Sequence, residues 1–96
     1  MTMTKREVRR SAQFRKDVRL AYKQGKDISL LDELIVKLAN DEPLSEKYRD
    51  HALSGNWNGH RECHVSPDWL LIYKKTSDGG LFLSLIRVAS HSDLKF

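Results

Sequence analysis

Three of the four histidines, His51, His60 and His64, fall between Arg49 and Lys74, with Glu62, Asp68, the only cysteine and both tryptophans. Imidazole exchanges a proton near neutral pH more readily than any other side chain, so histidines beside carboxylates point to proton transfer. If residues 60–65 form a strand, His60, Glu62 and His64 share one face, and Arg61, Cys63 and Val65 the other. A His/Glu/His row suits two chemistries. It can ligate zinc or manganese, or it can act as acid and base on a phosphodiester. The helical signature of zinc proteases is absent, because HRECH has the wrong order and the local pattern is that of a strand. Asp68 follows Pro67 in a turn, His51 follows Asp50 in a loop, and His91 lies beyond the last strand. Each has an ordinary structural explanation taken singly: a turn cap, a loop side chain, an exposed ring. Their combination with a basic segment gives them functional weight.

That segment is the N-terminus. Residues 1–26 carry nine Lys/Arg and two acids, Glu7 and Asp17, whereas the whole chain has a net charge of only +4. Unmatched positive charge attracts polyanions by neutralising phosphates and releasing counterions. A length of 96 residues allows one domain, spanning 1–96, and the composition, 40% hydrophobic and 31% charged, is that of a globular chain. No stretch has the length and apolarity of a membrane span, and the start lacks the apolar core of a secretory signal. A lone Cys63 cannot form an internal disulfide and fits a reducing, cytoplasmic setting. Its simplest role is as a small core side chain.

The elements that must position these groups follow from hydrophobic period. Lys5–Arg10 reads as a short strand ending at Ser11, a good helix N-cap. Phe14, Val18, Ala21 and Tyr22 have helical spacing from Ala12 to Gln24, which leaves Arg15, Lys16, Arg19 and Lys23 toward water, and Gly25 ends the helix. Ser29 to Asp32 resembles a capping box that opens a second helix through Leu31, Leu34, Ile35, Leu38 and Ala39. Leu44–Asn58 reads as a long loop. His60–Val65, Trp69–Lys75 and Leu81–Val88 read as strands, with turns at Ser66-Pro67-Asp68 and Ser77-Asp78-Gly79-Gly80. The apolar Trp69–Tyr73 run belongs at the sheet centre, and Ala89–Phe96 reads as a short polar tail. The expectation is an α/β (α+β) fold, with a helical hairpin covering a sheet of about four strands.

The block GNWNGHRECHVSPDWLLIYK, the preceding Asp-His-x-Leu, the early Ser-x-Gln-aromatic-x-Lys-Asp-Val at Ser11–Val18 and the late His91 together resemble the YafQ branch of the RelE-type toxins of bacterial toxin–antitoxin pairs. The likeness runs from about Arg6 to His91. It implies two N-terminal helices on a mostly antiparallel sheet. It also implies a ribosome-dependent mRNA endonuclease that needs no metal or other cofactor and is restrained by a cognate antitoxin. Carried over position by position, the resemblance assigns the site to His51, Glu62 (an aspartate elsewhere in the branch), His64, Asp68 and His91. His60 falls where the family often has tyrosine and lies outside that set. Phe96 stands one residue beyond the family's C-terminal aromatic.

RNA supplies its own nucleophile, the 2′-hydroxyl, so a protein need only align it, take its proton, balance charge on the phosphorane and protonate the leaving oxygen. On this reading His91 is the acid. His51, His64 and Asp68 share the base and orienting roles, with Asp68 or Glu62 holding an imidazole in its useful tautomer. Arg61 and Arg87 are candidates for phosphate charge, and Arg15, Lys16, Arg19 and Lys23 for ribosomal RNA backbone. The alternatives are a metal-dependent nuclease built on His60, Glu62 and His64, and a non-catalytic RNA-binding module.

Overall fold

The computed structural model describes residues 4–94, so Phe96 lies outside the described residues. Strand β1 (Glu7–Arg10) leads into helix α1 (Ala12–Lys23) and helix α2 (Ile28–Ala39). Strands β2 (His51–Ala52), β3 (Arg61–Ser66), β4 (Trp69–Thr76) and β5 (Phe82–Ala89) follow, and a one-turn helix α3 (His91–Leu94) closes the described chain. The sheet order is β1-β5-β4-β3-β2. β1 runs parallel to β5, and every other pairing is antiparallel.

The sheet therefore has five strands rather than about four. The extra one is the two-residue β2, inside the segment expected to be a continuous loop. That segment also holds 3₁₀ turns at Glu46–Tyr48 and Gly55–Trp57. Two residues carry no readable period; their strand character comes from pairing with β3.

α1 begins where expected. Ser11 Oγ accepts from Phe14 N at 2.9 Å and donates to Ile86 O at 2.8 Å. It ends at Gly25, whose φ of 76° is costly for a residue with a Cβ. The apolar stripe differs from the expected one: Tyr22 is 75% exposed, and Asp17 is buried between Phe14 and Ala21. The cap of α2 also differs. Asp27, not Ser29, accepts from Leu30 N at 3.0 Å, and Ser29 Oγ donates to the same Asp27 oxygen.

The main core fills the space between the helical hairpin and one sheet face. It includes Phe14, Leu31, Leu34 and Leu38 from the helices and Cys63, Leu71, Tyr73, Leu83 and Leu85 from the sheet. A fully buried leucine contributes roughly 1.5–3 kcal/mol, so this layer carries the fold. Cys63 belongs to it: burial pushes its thiol up to about 12, which makes it an inert core side chain.

The opposite sheet face has a smaller apolar cluster of Leu70, Ile72, Ala89 and Leu94, flanked by Leu53, Trp57 and Ile86. Leu94 anchors α3 there, so the segment read as a polar tail is a packed helical turn. Ser90 caps it, accepting from Asp93 N at 3.2 Å. None of the described helices is long and apolar enough to cross a membrane.

Candidate active site

β3 turns its two faces to different tasks. Cys63 and Val65 enter the helix-side core. Glu62 and His64, two residues apart and hence on one face, look the other way. His51 stands directly across from Glu62 in the antiparallel β2–β3 pair, close enough for side chains to touch. His51 Nε2 lies 3.0 Å from Glu62 Oε2. Its Nδ1 lies 2.6 Å from the Arg49 carbonyl oxygen, which can only accept. Both ring nitrogens thus face oxygen, and the ring is held from both sides.

Glu62 is only 5% exposed. Among the described residues its second oxygen, Oε1, has no hydrogen-bond partner. A buried carboxylate oxygen without a donor is costly, and costs of this kind collect at functional sites.

The other half of the site comes from the far ends of two strands. Leu70 on β4 pairs with Ala89 on β5, so the β3–β4 turn lies beside the start of α3. Asp68 in that turn accepts through a single oxygen from His91 N at 3.1 Å and is 2.8 Å from His91 Nδ1. The backbone N–H and then the ring of His91 hold the Asp68 carboxyl below its ordinary value. A ring that donates through Nδ1 uses Nε2 to exchange a proton. His64 sits between the halves, its ring centroid 6.3 Å from that of His51 and 5.7 Å from that of His91.

His51, Glu62, His64, Asp68 and His91 thus form one continuous chain of contacts on one sheet face. The arrangement has the parts of a proton-transfer site: two imidazoles each held by a carboxylate, and a third between them.

His60 is not brought into this group. β3 begins at Arg61, and His60 lies in the preceding turn, its Nδ1 3.4 Å from Asn58 O and its ring edge-on to Trp57. The His60/Glu62/His64 metal set therefore does not assemble. Among the described residues, the three whose ligand atoms lie within 4.8 Å of one another are Glu62, His64 and His91.

The two arginines considered for phosphate charge have structural partners. Arg87 Nε and Nη2 donate to the two oxygens of Asp17 at 2.9 and 3.1 Å. Arg61 Nε reaches Asp50 Oδ1 and Tyr73 Oη, both at 3.3 Å. Arg15, Lys16, Arg19 and Lys23 are exposed on α1.

One contributor was not apparent from the sequence. Asp50 accepts from Tyr73 Oη at 2.5 Å, and burial and then this bond push the Tyr73 phenol well above its usual range. Tyr73 pairs with Arg61 across β3 and β4. Asp50 is thereby fastened on the helix side while the next residue, His51, meets Glu62 on the other. The alternation of Asp50 with His51, and of Arg61 with Glu62, is the sequence signal for this latch.

The family model for the bacterial toxin of type II toxin–antitoxin systems, YafQ, matches residues 6–96. The chain belongs to the YafQ toxin family. It is 43% identical to the mRNA interferase toxin YafQ of Escherichia coli K12 over 93 residues, 96% of this chain and 98% of that one. The YafQ of the solved E. coli DinJ–YafQ toxin–antitoxin complex is 43% identical, with a TM-score of 0.84 over 94% of this chain and 97% of that one. A metal-bound toxin from Helicobacter pylori is 39% identical, with a TM-score of 0.86 over 96% and 99%. The mixed helix–sheet architecture described above is thus the YafQ fold.

Proposed function

We propose that this chain is a ribosome-dependent mRNA endonuclease, acting in the cytoplasm, that cuts RNA by acid–base chemistry needing no metal and is held in check by a cognate antitoxin. The observation that carries the reading is the convergence of His51, His64 and His91 with Glu62 and Asp68 on one face. The E. coli relative named an mRNA interferase toxin, and another solved with the antitoxin DinJ, support the activity and the partner class.

The reaction divides among these side chains. The 2′-hydroxyl attacks the adjacent phosphorus and the P–O5′ bond breaks, leaving a 2′,3′-cyclic phosphate and a 5′-hydroxyl. His64 takes the 2′ proton, while His51, engaged through both ring nitrogens by Arg49 O and Glu62, holds the Glu62 carboxylate in place. His91, oriented by Asp68, gives a proton to the departing O5′. General acid and base each supply about 10²–10⁴-fold, and fixed positions on the ribosome supply the alignment. The exposed α1 cations, Arg15, Lys16, Arg19 and Lys23, face ribosomal RNA backbone.

The test is cleavage of a ribosome-bound message by wild type and by His91→Ala, with both ends of the product mapped. The expected ends are a cyclic or 3′-phosphate and a 5′-hydroxyl, and the variant leaves the message whole. Products ending in 3′-hydroxyls would overturn the chemistry.

A second reading has its own support. Glu62, His64 and His91 offer ligand atoms within 4.8 Å of one another, and imidazole with carboxylate suits a transition-metal ion. The H. pylori relative was solved metal-bound. Cleavage abolished by EDTA would favour this reading; cleavage that survives EDTA favours the first.

A further inference from the structure

Two clefts of equal volume, about 560 Å³ each, flank the Asp68–His91 pair. Their volume suits one small ligand or one unit of a polymer. Their linings differ in the property that matters to an anion. The cleft on the α1 side carries three carboxylates, Asp17, Asp68 and Asp93, against two cations, Lys26 and Arg87, and Arg87 is already bonded to Asp17. The cleft on the other side is lined by Lys47, Arg49, His64 and His91 and, among the described residues, by no carboxylate. Its walls are Tyr48 from the 3₁₀ turn, Pro67 from the β3–β4 turn and Leu30 from α2.

We propose that this second cleft seats the RNA nucleotide next to the scissile phosphate, its base against Tyr48 and Pro67 and its backbone toward Lys47 and Arg49. The proposal rests on the endonuclease reading and adds a subsite to it. Single-stranded RNA is gripped by a base on an aromatic ring with cations along the backbone, and the lining supplies both. The Tyr48 ring is half-buried against the main core and hence fixed. Lys47 Nζ lies over the ring, 5.1 Å from its centroid, so a base stacking there displaces this flexible cation toward the RNA backbone. Arg49, at φ 48°, holds the left-handed turn whose carbonyl partners His51. Residues 47–49 therefore line the cleft and also, through the Arg49 carbonyl, hold the His51 end of the site. A base seated here would keep its phosphate beside His64 and His91.

The experiment measures kcat and KM on ribosomes carrying a set of messages that differ only in the nucleotides on either side of the cut. Enzymes are wild type, Tyr48→Ala, Tyr48→Phe, Lys47→Glu and His91→Ala. Loss of one base stack weakens binding by about 5- to 150-fold. Tyr48→Ala should raise KM by that factor on every message, whereas Tyr48→Phe, which keeps the ring, should match wild type. Should Tyr48→Ala not fold, the exposed Lys47→Glu decides: its KM should rise, and rise most at low salt. An unchanged KM for a folded Tyr48→Ala, a Tyr48→Phe variant as weak as Tyr48→Ala, or an unchanged KM for Lys47→Glu would overturn the subsite. No cleavage of any message by wild type would instead overturn the endonuclease reading itself, and full activity of His91→Ala would overturn only its assignment as the acid.

Discussion

Asp17 and Glu62 are buried to nearly the same depth, 7% and 5% exposed, and are treated in opposite ways. Asp17, on the seam between α1 and β5, accepts four hydrogen bonds: two from Arg87, one from Val88 N at 3.1 Å and one from Gln13 at 3.0 Å. Every acceptor direction is used and the charge is matched. Glu62, on the other sheet face, has His51 on one oxygen and, among the described residues, nothing on the other. A structural carboxylate is saturated because unpaired buried charge costs stability. A carboxylate left half-satisfied holds that capacity for something outside the fold. The seam and the site are thus distinguished by how completely each carboxylate is answered, not by depth.

The largest expected effect tests the saturated side. Asp17→Ala strands the Arg87 guanidinium and the Val88 N–H, and breaking a buried pair from one end costs about 3 kcal/mol or more. For a domain of this size that is a fall in Tm of more than about 10 °C, to be read by thermal unfolding. Glu62→Gln is the opposing arm. It keeps shape and removes a charge that the fold answers at one oxygen only, so stability should move by less than about 1 kcal/mol while cleavage falls by roughly 10- to 100-fold. If Glu62→Gln melts as Asp17→Ala does, the contrast is lost and Glu62 is a structural acid.

The seam and the site were also unequally legible in the sequence. Helical period located both long helices, and strand alternation set Glu62 and His64 against Cys63 and Val65, because period is a local property. The same period places Asp17 on the buried stripe between Phe14 and Ala21, yet nothing local names Arg87, seventy residues on, as its partner. His51 and His91 reach β3 by routes that have no period. One lies on a two-residue strand defined only by its pairing, the other on a single helical turn held by Leu94. The Ser90-x-x-Asp93 pattern ahead of Leu94 was the available sign of that turn. Their membership of one site was legible only through family resemblance.

A smaller effect probes how the site end of the comparison is held. Asp50 joins the two faces, bonded to Tyr73 and Arg61 beneath while its neighbour His51 meets Glu62 above. Asp50→Ala should cost about 1–2 kcal/mol of stability and lower kcat about tenfold by loosening His51, whereas Asp50→Asn, which keeps an acceptor, should recover much of both. An Asp50→Ala enzyme with undiminished kcat would show that His51 needs no latch.

The smallest effect concerns Asp68, a third acid treated in a third way: exposed, yet held below its ordinary value by the backbone N–H and ring of His91. A depressed carboxyl contributes stability that is fully present above the unfolded value, about 3.9, and is lost as the pH falls through the folded value. Asp68→Asn retains an oxygen in the position that takes both His91 contacts, so geometry survives and only charge goes. The stability gap between wild type and Asp68→Asn should therefore be small above the carboxylate range, and should close in acid below about pH 4. Cleavage by the variant should fall only a few-fold, because His91 stays oriented. A gap that widens in acid would mean that the carboxylate is strained by its setting rather than stabilised by His91, which would place Asp68 with Glu62 and not with Asp17.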